Sequence, residues 1–436
     1  MGRRSRWPGP KPIIRQHVFP FLERWERNER RFRRAIVGFT LVMIALIIAA
    51  TATGRNLARR AWSGSRRATL AVIGLPPDRA EIEADWRLRR EDGVAQTAAA
   101  YRRIYAQTNP EMKRLLDYAG LEPGRAVLRW GNFDKILLLP GTVFQPDDAG
   151  RSYRMRPNVR SVWLNRVALP GGLDGFFLVP DRPELRDVVA GTGAAIVAGS
   201  SQTTNSWGCR GPEPDVHAPI RGLILGDSNM QGLFVADDET PPERLRHELE
   251  TRLKTRVSLL NTGHLGYSPE QFYATLAEYN DRFRPHFVLL TLCVNDFGDV
   301  GAATNGTLDL SEGKYWIDRI TDYCRTRDIP CIVSPMPVDY QVTAPRRERN
   351  YPGQIANLSQ VSSLLYCFPI EDLADEFLRL RIEADRGGYS LPSNPLYNSH
   401  IDDHHFSPRG TEIWGRALGR RLALLLELRH ARERSP

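Results

Sequence analysis

Residues 221–232, RGLILGDSNMQG, decide the fold. Leu223-Ile224-Leu225 is a short apolar run that stops at Gly226-Asp227-Ser228, and a helix-like pattern resumes after Gly232. An apolar run of this length bounded by glycine reads as a buried strand of a parallel sheet. Ser228 then stands at the carboxyl end of that strand, where open α/β sheets place their ligands. A lone GDS tripeptide reads first as a strand-to-helix turn whose serine merely caps the helix. The residues downstream shift that reading.

Working outward, residues 241–254, PPERLRHELETRLK, have helical spacing with Pro early, and Leu245 and Leu249 stand four apart. Residues 257–260 form a second apolar run, closed by Asn261-Thr262-Gly263-His264-Leu265-Gly266. Ser268-Pro269-Glu270-Gln271 opens a helix, with Ser as N-cap, Pro at its first position and Gln three residues on. Residues 287–292 are a third run and end at Cys293-Val294-Asn295-Asp296. A helix over 311–328, strands over 331–334 and 364–370, and a final helix over 407–430 complete the pattern. Strands alternating with helices predict a parallel sheet flanked by helices. In such a sheet the strand ends share one edge, so Ser228, Gly266 and Asn295 converge there.

The last helix is introduced by Asp402-Asp403-His404-His405-Phe406-Ser407. Ester cleavage needs a nucleophile, a base and donors for the oxyanion. Ser228 suits the first role, His405 the second, and Asp402, three residues earlier, orients the imidazole if the turn is tight. The N–H groups of Ser228 and Gly266 and the amide of Asn295 suit the oxyanion. Glycine leaves room for the carbonyl, and an asparagine NH₂ donates without titrating. His404 is a rival base, but the same register would need an acid at Ile401. His264, beside the proposed oxyanion turn, reads as a rim or packing residue. Asp227 and Asp296 read as hydrogen-bond partners that hold turns, or as second nucleophile orienters. Asp403 and His404 lack the spaced partners of a metal site, so neither metal nor cofactor is expected.

These blocks resemble the SGNH hydrolases, also called the GDSL lipase/esterase superfamily. Gly226-Asp227-Ser228 with Gly232 matches the first block, although the frequent Leu after Ser is Asn229 here. Residues 261–266, followed by Tyr267-Ser268, match the second, with Gly266 as its oxyanion donor. The third block is usually G-x-N-D; Cys293 replaces its Gly while Asn295-Asp296 remain. Residues 402–410 match the D-x-x-H block. Asn205-Ser206-Trp207-Gly208-Cys209-Arg210-Gly211 also looks like a segment upstream of the serine block in some exported members. The resemblance covers about residues 203–425 and implies a flavodoxin-like, three-layer α/β/α fold around a five-stranded parallel sheet.

Residues 35–54, AIVGFTLVMIALIIAATATG, carry no charge. At about 1.5 Å per residue they make roughly 30 Å of helix, one bilayer crossing. Eleven cations precede them, and five follow within residues 55–67. That bias predicts an N-terminus in the cytoplasm and a body in the periplasm or outside. A cleaved signal peptide is the rival, since Ala50-Thr51-Ala52 resembles a cleavage site. Residues 1–67 carry a net +13 and the remaining residues a net −4, within the total of +9. No basic stripe marks the body as a nucleic-acid binder.

The expected organisation is a basic segment (1–34), a transmembrane helix (35–54), a membrane-proximal helical and β-rich region (55–202) and a catalytic domain (203–430). Within 55–202, residues 79–120 read as a surface or membrane-proximal helix. The runs at 135–139, 161–164 and 175–179 read as strands of a small β-rich appendage or as extra edge strands. The five cysteines show no C-x-x-C, Cys293 is expected buried at a strand end, and Cys331 and Cys367 lie on strands that would be neighbours. The functional expectation is a membrane-anchored serine esterase acting on an acyl ester, short-chain and on a glycan in one form. The alternatives are an O-acyltransferase modifying an envelope polysaccharide and a non-catalytic binding or scaffold protein of the same fold.

Overall fold

The computed structural model describes residues 98–130, 136–147, 151–171, 173–293, 296, 311–343, 365–366, 370–391, 393–398, 401 and 404–434. Every described residue belongs to one compact unit, Gly93–Pro436. The predicted transmembrane helix at 35–54 lies outside the described residues. Among those residues no helix is long and apolar enough to cross a membrane.

Five parallel strands form the central sheet: β9 (Ile220–Leu225), β10 (Val257–Asn261), β11 (Phe287–Leu292), β12 (Cys331–Pro335) and β13 (Leu365–Tyr366). Their order is β10-β9-β11-β12-β13, the 2-1-3-4-5 winding of the flavodoxin-like fold that the resemblance implied. Every residue of β10 and β11 is buried, as strands covered on both faces must be. Right-handed crossovers put α4 (Pro241–Leu253) and α5 (Pro269–Phe283) on opposite faces. α4 packs against the last helix, α9 (Pro408–Arg434), and α5 against α6 (Ser311–Arg325). The predicted capping box at Ser268 and Gln271 opens α5, with Pro269 in its first turn.

Three expectations need correction. The stretch over 79–120 is broken where it is described: residues 98–107 are helical, and a separate α1 (Pro110–Ala119) follows. Asn109 caps α1 by accepting from Met112 N at 2.8 Å, and Pro110 disfavours helical backbone at the residue before it. α1 lies at the surface with one face buried: Met112, Leu115, Leu116 and Ala119 join a shared core with Tyr101, Val162, Leu164 and Phe177, while Glu111, Arg114 and Asp117 are exposed. The strand predicted over 364–370 is described only at Leu365–Tyr366, and Ile370 instead opens an unanticipated helix, α8 (Ile370–Arg386). α6 ends at Arg325, before the predicted 328, because Asp328 adopts a left-handed φ of 54°.

The β-rich region pairs β1 (Val127–Trp130) with β2 (Ile136–Leu139) and β3 (Phe144–Asp147) with β4 (Ser152–Met155). Its longest strands, β5 (Arg160–Leu169) and β6 (Leu173–Pro180), run antiparallel, and β7 (Ala195–Ile196) and β8 (Gln202–Thr203) also pair with β5. Alternation sends Val162 and Leu164 toward α1, while Trp163 joins Phe144, Tyr153 and Met155 in the core of the central sheet. Polar ties reinforce that shared core. The Arg151 guanidinium pairs with Asp147 at 2.5 Å and with Glu278 of α5, and Gln271 Nε2 donates to Arg151 O at 2.8 Å.

Candidate active site

β9 delivers the chain to Gly226, where a Cβ would come within 2.3 Å of Thr291 Oγ1 and 2.4 Å of Met230 Cγ. Only glycine passes between β11 and the turn above it. Ser228 then opens a single helical turn, α3 (Ser228–Gln231). Asp227 caps that turn, its Oδ1 accepting from Asn229 N at 2.9 Å.

The loop after β10 cradles the same turn. Asn261 Nδ2 donates to Met230 O at 2.9 Å, and Leu265 N donates to Gln231 Oε1 at 2.6 Å. Gly266, the predicted oxyanion donor, ends this loop at φ 73°, a conformation that L side chains rarely adopt. Tyr153 and Tyr267 tie the loop to β4: the Tyr267 hydroxyl donates to Tyr153 O at 2.6 Å, and that of Tyr153 donates to Leu265 O.

The third element is the segment before α9. Asn398 N donates to His405 O at 2.9 Å, and Asn398 Nδ2 donates to Phe406 O at 2.8 Å, pinning the two carbonyls that follow the histidine side chain. His405 Nε2 stands 2.8 Å from Ser228 Oγ across 177 residues of sequence. Ser228 and His405 are 6% and 7% exposed, so the pair is nearly removed from water. His404, the rival base, is exposed. An unprotonated Nε2 in this place accepts the serine proton.

Asn295 and Asp402 lie outside the described residues. Asp296, next to Asn295, is buried and accepts from Cys293 N at 2.7 Å, which holds the turn after β11. Burial, then the nearby negative charge of Asp227, push its carboxyl well above the usual range, against the opposing Cys293 N–H. Asp227 and Asp296 are thus turn holders, as expected. Cys293 is buried at its strand end, as expected, and the buried Cys331 thiol meets Cys324. Cys367 lies outside the described residues.

His264 is a packing residue but not a rim residue. It is 4% exposed and stacks on Tyr267 with centroids 4.6 Å apart. Nδ1 stands 2.9 Å from Thr262 O, to which it donates, while Nε2 accepts from Met155 N at 3.3 Å. Burial lowers its pKa to about 4, so the ring is neutral and spoken for at both nitrogens.

No family model matches this chain, and no curated protein matches it by sequence. Solved structures do. An acetyl xylan esterase, AlAXEase, is 16% identical over 47% of this chain and 100% of its own, with a TM-score of 0.35. The lipase/acylhydrolase from Enterococcus faecalis is 16% identical over 47% of this chain and 96% of its own, at 0.34. A family 3 carbohydrate esterase of Clostridium thermocellum is 15% identical over 48% of this chain and 98% of its own, at 0.31. TM-scores this low leave the function of this chain to its own residues.

Sequence reasoning did not find the roles of Arg210 and Phe234. Arg210, in the segment noted upstream of the serine, is buried, and its Nη1 donates to Gln231 O at 2.8 Å. Burial pulls its pKa down, and Asp237 at 3.0 Å from Nε opposes that. Phe234 lies edge-on to His405, centroids 5.8 Å apart and ring planes at 89°.

Proposed function

We propose that this chain is a serine esterase that cleaves an acyl ester through an acyl-Ser228 intermediate. The observation that carries the reading is the 2.8 Å approach of His405 Nε2 to Ser228 Oγ at the carboxyl edge of a parallel sheet. Ser228 Oγ attacks the carbonyl carbon while its proton passes to Nε2. The tetrahedral oxyanion collapses and expels the alcohol, which leaves with the proton from His405. Water then attacks the acyl carbon, again giving its proton to Nε2, and releases the acid and Ser228.

Gly266 at φ 73° supports an oxyanion role for its N–H, beside the N–H of Ser228. The sequence resemblance adds Asn295 as the third donor and Asp402 as the group that orients His405. The charge-free segment 35–54 and its arginine flanks support a single membrane anchor with the catalytic unit on the far side of the membrane. The substrate class proposed is an acyl ester of short chain, carried on a glycan of that compartment.

The test uses the full chain in detergent. Wild type turns over p-nitrophenyl acetate and is labelled by a fluorophosphonate at Ser228; Ser228→Ala loses both. Equal background rates and no labelling in a folded protein remove the esterase reading.

A further inference from the structure

Arg210 makes four contacts that the proposed chemistry does not use. Its guanidinium donates through Nη1 to Gln231 O at 2.8 Å and to Gly232 O, through Nη2 to Val235 O at 2.6 Å, and through Nε to Asp237 at 3.0 Å. Its side chain is wholly buried. A planar fork of this kind can hold several acceptors in fixed directions, which an ammonium cannot. The carbonyls it holds stand on both sides of Phe234.

Phe234 itself is in an unusual state. Its φ is 67°, the left-handed region that bulky side chains avoid. Backbone stays there only where its surroundings over-determine it, and such residues gather at functional sites. The ring is buried and enclosed on three sides. Trp163 of β5 lies at 5.3 Å and 65°, Phe176 of β6 at 5.0 Å and 88°, and His405 at 5.8 Å and 89°. The imidazole therefore has the serine hydroxyl at Nε2 and an aromatic wall beside its ring.

We infer that Arg210 and Phe234 are positioning residues for His405. The buried guanidinium fixes the turn after the nucleophile, and that turn holds the Phe234 ring against the imidazole. Trp163 and Phe176 back the ring, so the β-rich region completes the catalytic wall. The inference rests on the esterase reading, because only a reacting histidine needs its ring held in one orientation.

The experiment measures kcat, KM, fluorophosphonate labelling rate and Tm for the full chain. The variants are Phe234→Leu, Phe234→Tyr and Arg210→Lys, with Leu249→Ala in α4 as a packing control. Misplacing a catalytic group by about 1 Å slows reaction by on the order of 100-fold. Phe234→Leu and Arg210→Lys are therefore expected to lower kcat and labelling together by about 10- to 100-fold, with KM changed by less than about threefold. Phe234→Tyr restores most of kcat, because it keeps the ring. Leu249→Ala lowers Tm but keeps kcat per labelled serine. If Arg210→Lys does not fold, the two Phe234 variants decide.

Wild-type kcat in Phe234→Leu overturns the inference. So does an equal loss in Phe234→Tyr, or a loss in Leu249→Ala that follows Tm in the same proportion. Each of these leaves wild-type turnover and labelling intact. Absent turnover and labelling in wild type itself would instead remove the esterase reading.

Discussion

Asn229 Nδ2 lies 3.6 Å from Cys293 Sγ. These are the positions at which the chain departs from the SGNH pattern, Asn for the frequent Leu and Cys for the usual Gly, and they face each other under the nucleophile turn. The buried amide thus meets a weak acceptor that the pattern's glycine would not supply. Changes at touching residues are not additive. We expect Asn229→Leu and Cys293→Gly each to destabilise the fold, with a coupling of about 0.5–3 kcal/mol between them. Urea unfolding of both single variants and the double variant measures it; strict additivity would mean that the contact carries no energy.

The Arg151 ion pairs give a second expectation. The guanidinium is 2% exposed and holds Asp147 of β3 and Glu278 of α5 together. Removing one member of a buried pair leaves charge without compensation and costs about 3–5 kcal/mol. Arg151→Met is expected to lose that much stability. Activity should fall with it, because the guanidinium also ties β3 to Glu278 of the helix that follows Gly266. A variant within about 1 kcal/mol of wild type by chemical denaturation would show that the β-rich region is held by its apolar core instead.

Much of the sheet was legible because its strands are continuous apolar runs closed by glycine or asparagine, such as residues 221–226 and 257–261. Ser228 and His405 were legible because each sits in a short motif, and their meeting follows from the winding. α8 was not. Among its described side chains it buries only Leu373, Ala374 and Ala384 deeply and carries nine charged residues, so its stripe is narrow. Phe234 was invisible for another reason: a left-handed φ at a non-glycine residue is imposed by tertiary contacts, and no local residue pattern announces it. The role of Arg210 depends on carbonyls more than twenty residues away and had no signal beyond the motif that contains it.

Asp296 yields a test with a definite sign. Its folded-state pKa is raised, so the stability it contributes is fully present below the unfolded value near 3.8 and is lost as pH rises toward the folded pKa. At neutral pH the unfolded chain ionises this carboxyl and the folded chain resists doing so. Asp296→Asn keeps an oxygen for Cys293 N and has no proton to lose. We expect the variant to gain stability relative to wild type as pH rises from about 3 to 7. Chemical denaturation across that range checks it, and a constant difference between the two proteins would refute the raised pKa.

His264 gives the opposite sign in an overlapping window. Burial lowers its pKa from 6.5 to about 4, so between those values the unfolded chain binds a proton that the folded chain refuses. Stability is therefore full above about 6.5, falls as pH drops toward 4, and falls no further on this account below it. The shift corresponds to a loss of at most about 3 kcal/mol. Protonation would also break the hydrogen bond from Met155 N, loosening β4 from the loop that ends at Gly266. His264→Gln removes the titration while keeping an acceptor and a donor near those partners. Unfolding free energies at pH 7.0 and pH 4.5, measured for wild type and variant, should show a larger drop for wild type. An equal drop in both proteins would place the acid sensitivity of the fold elsewhere.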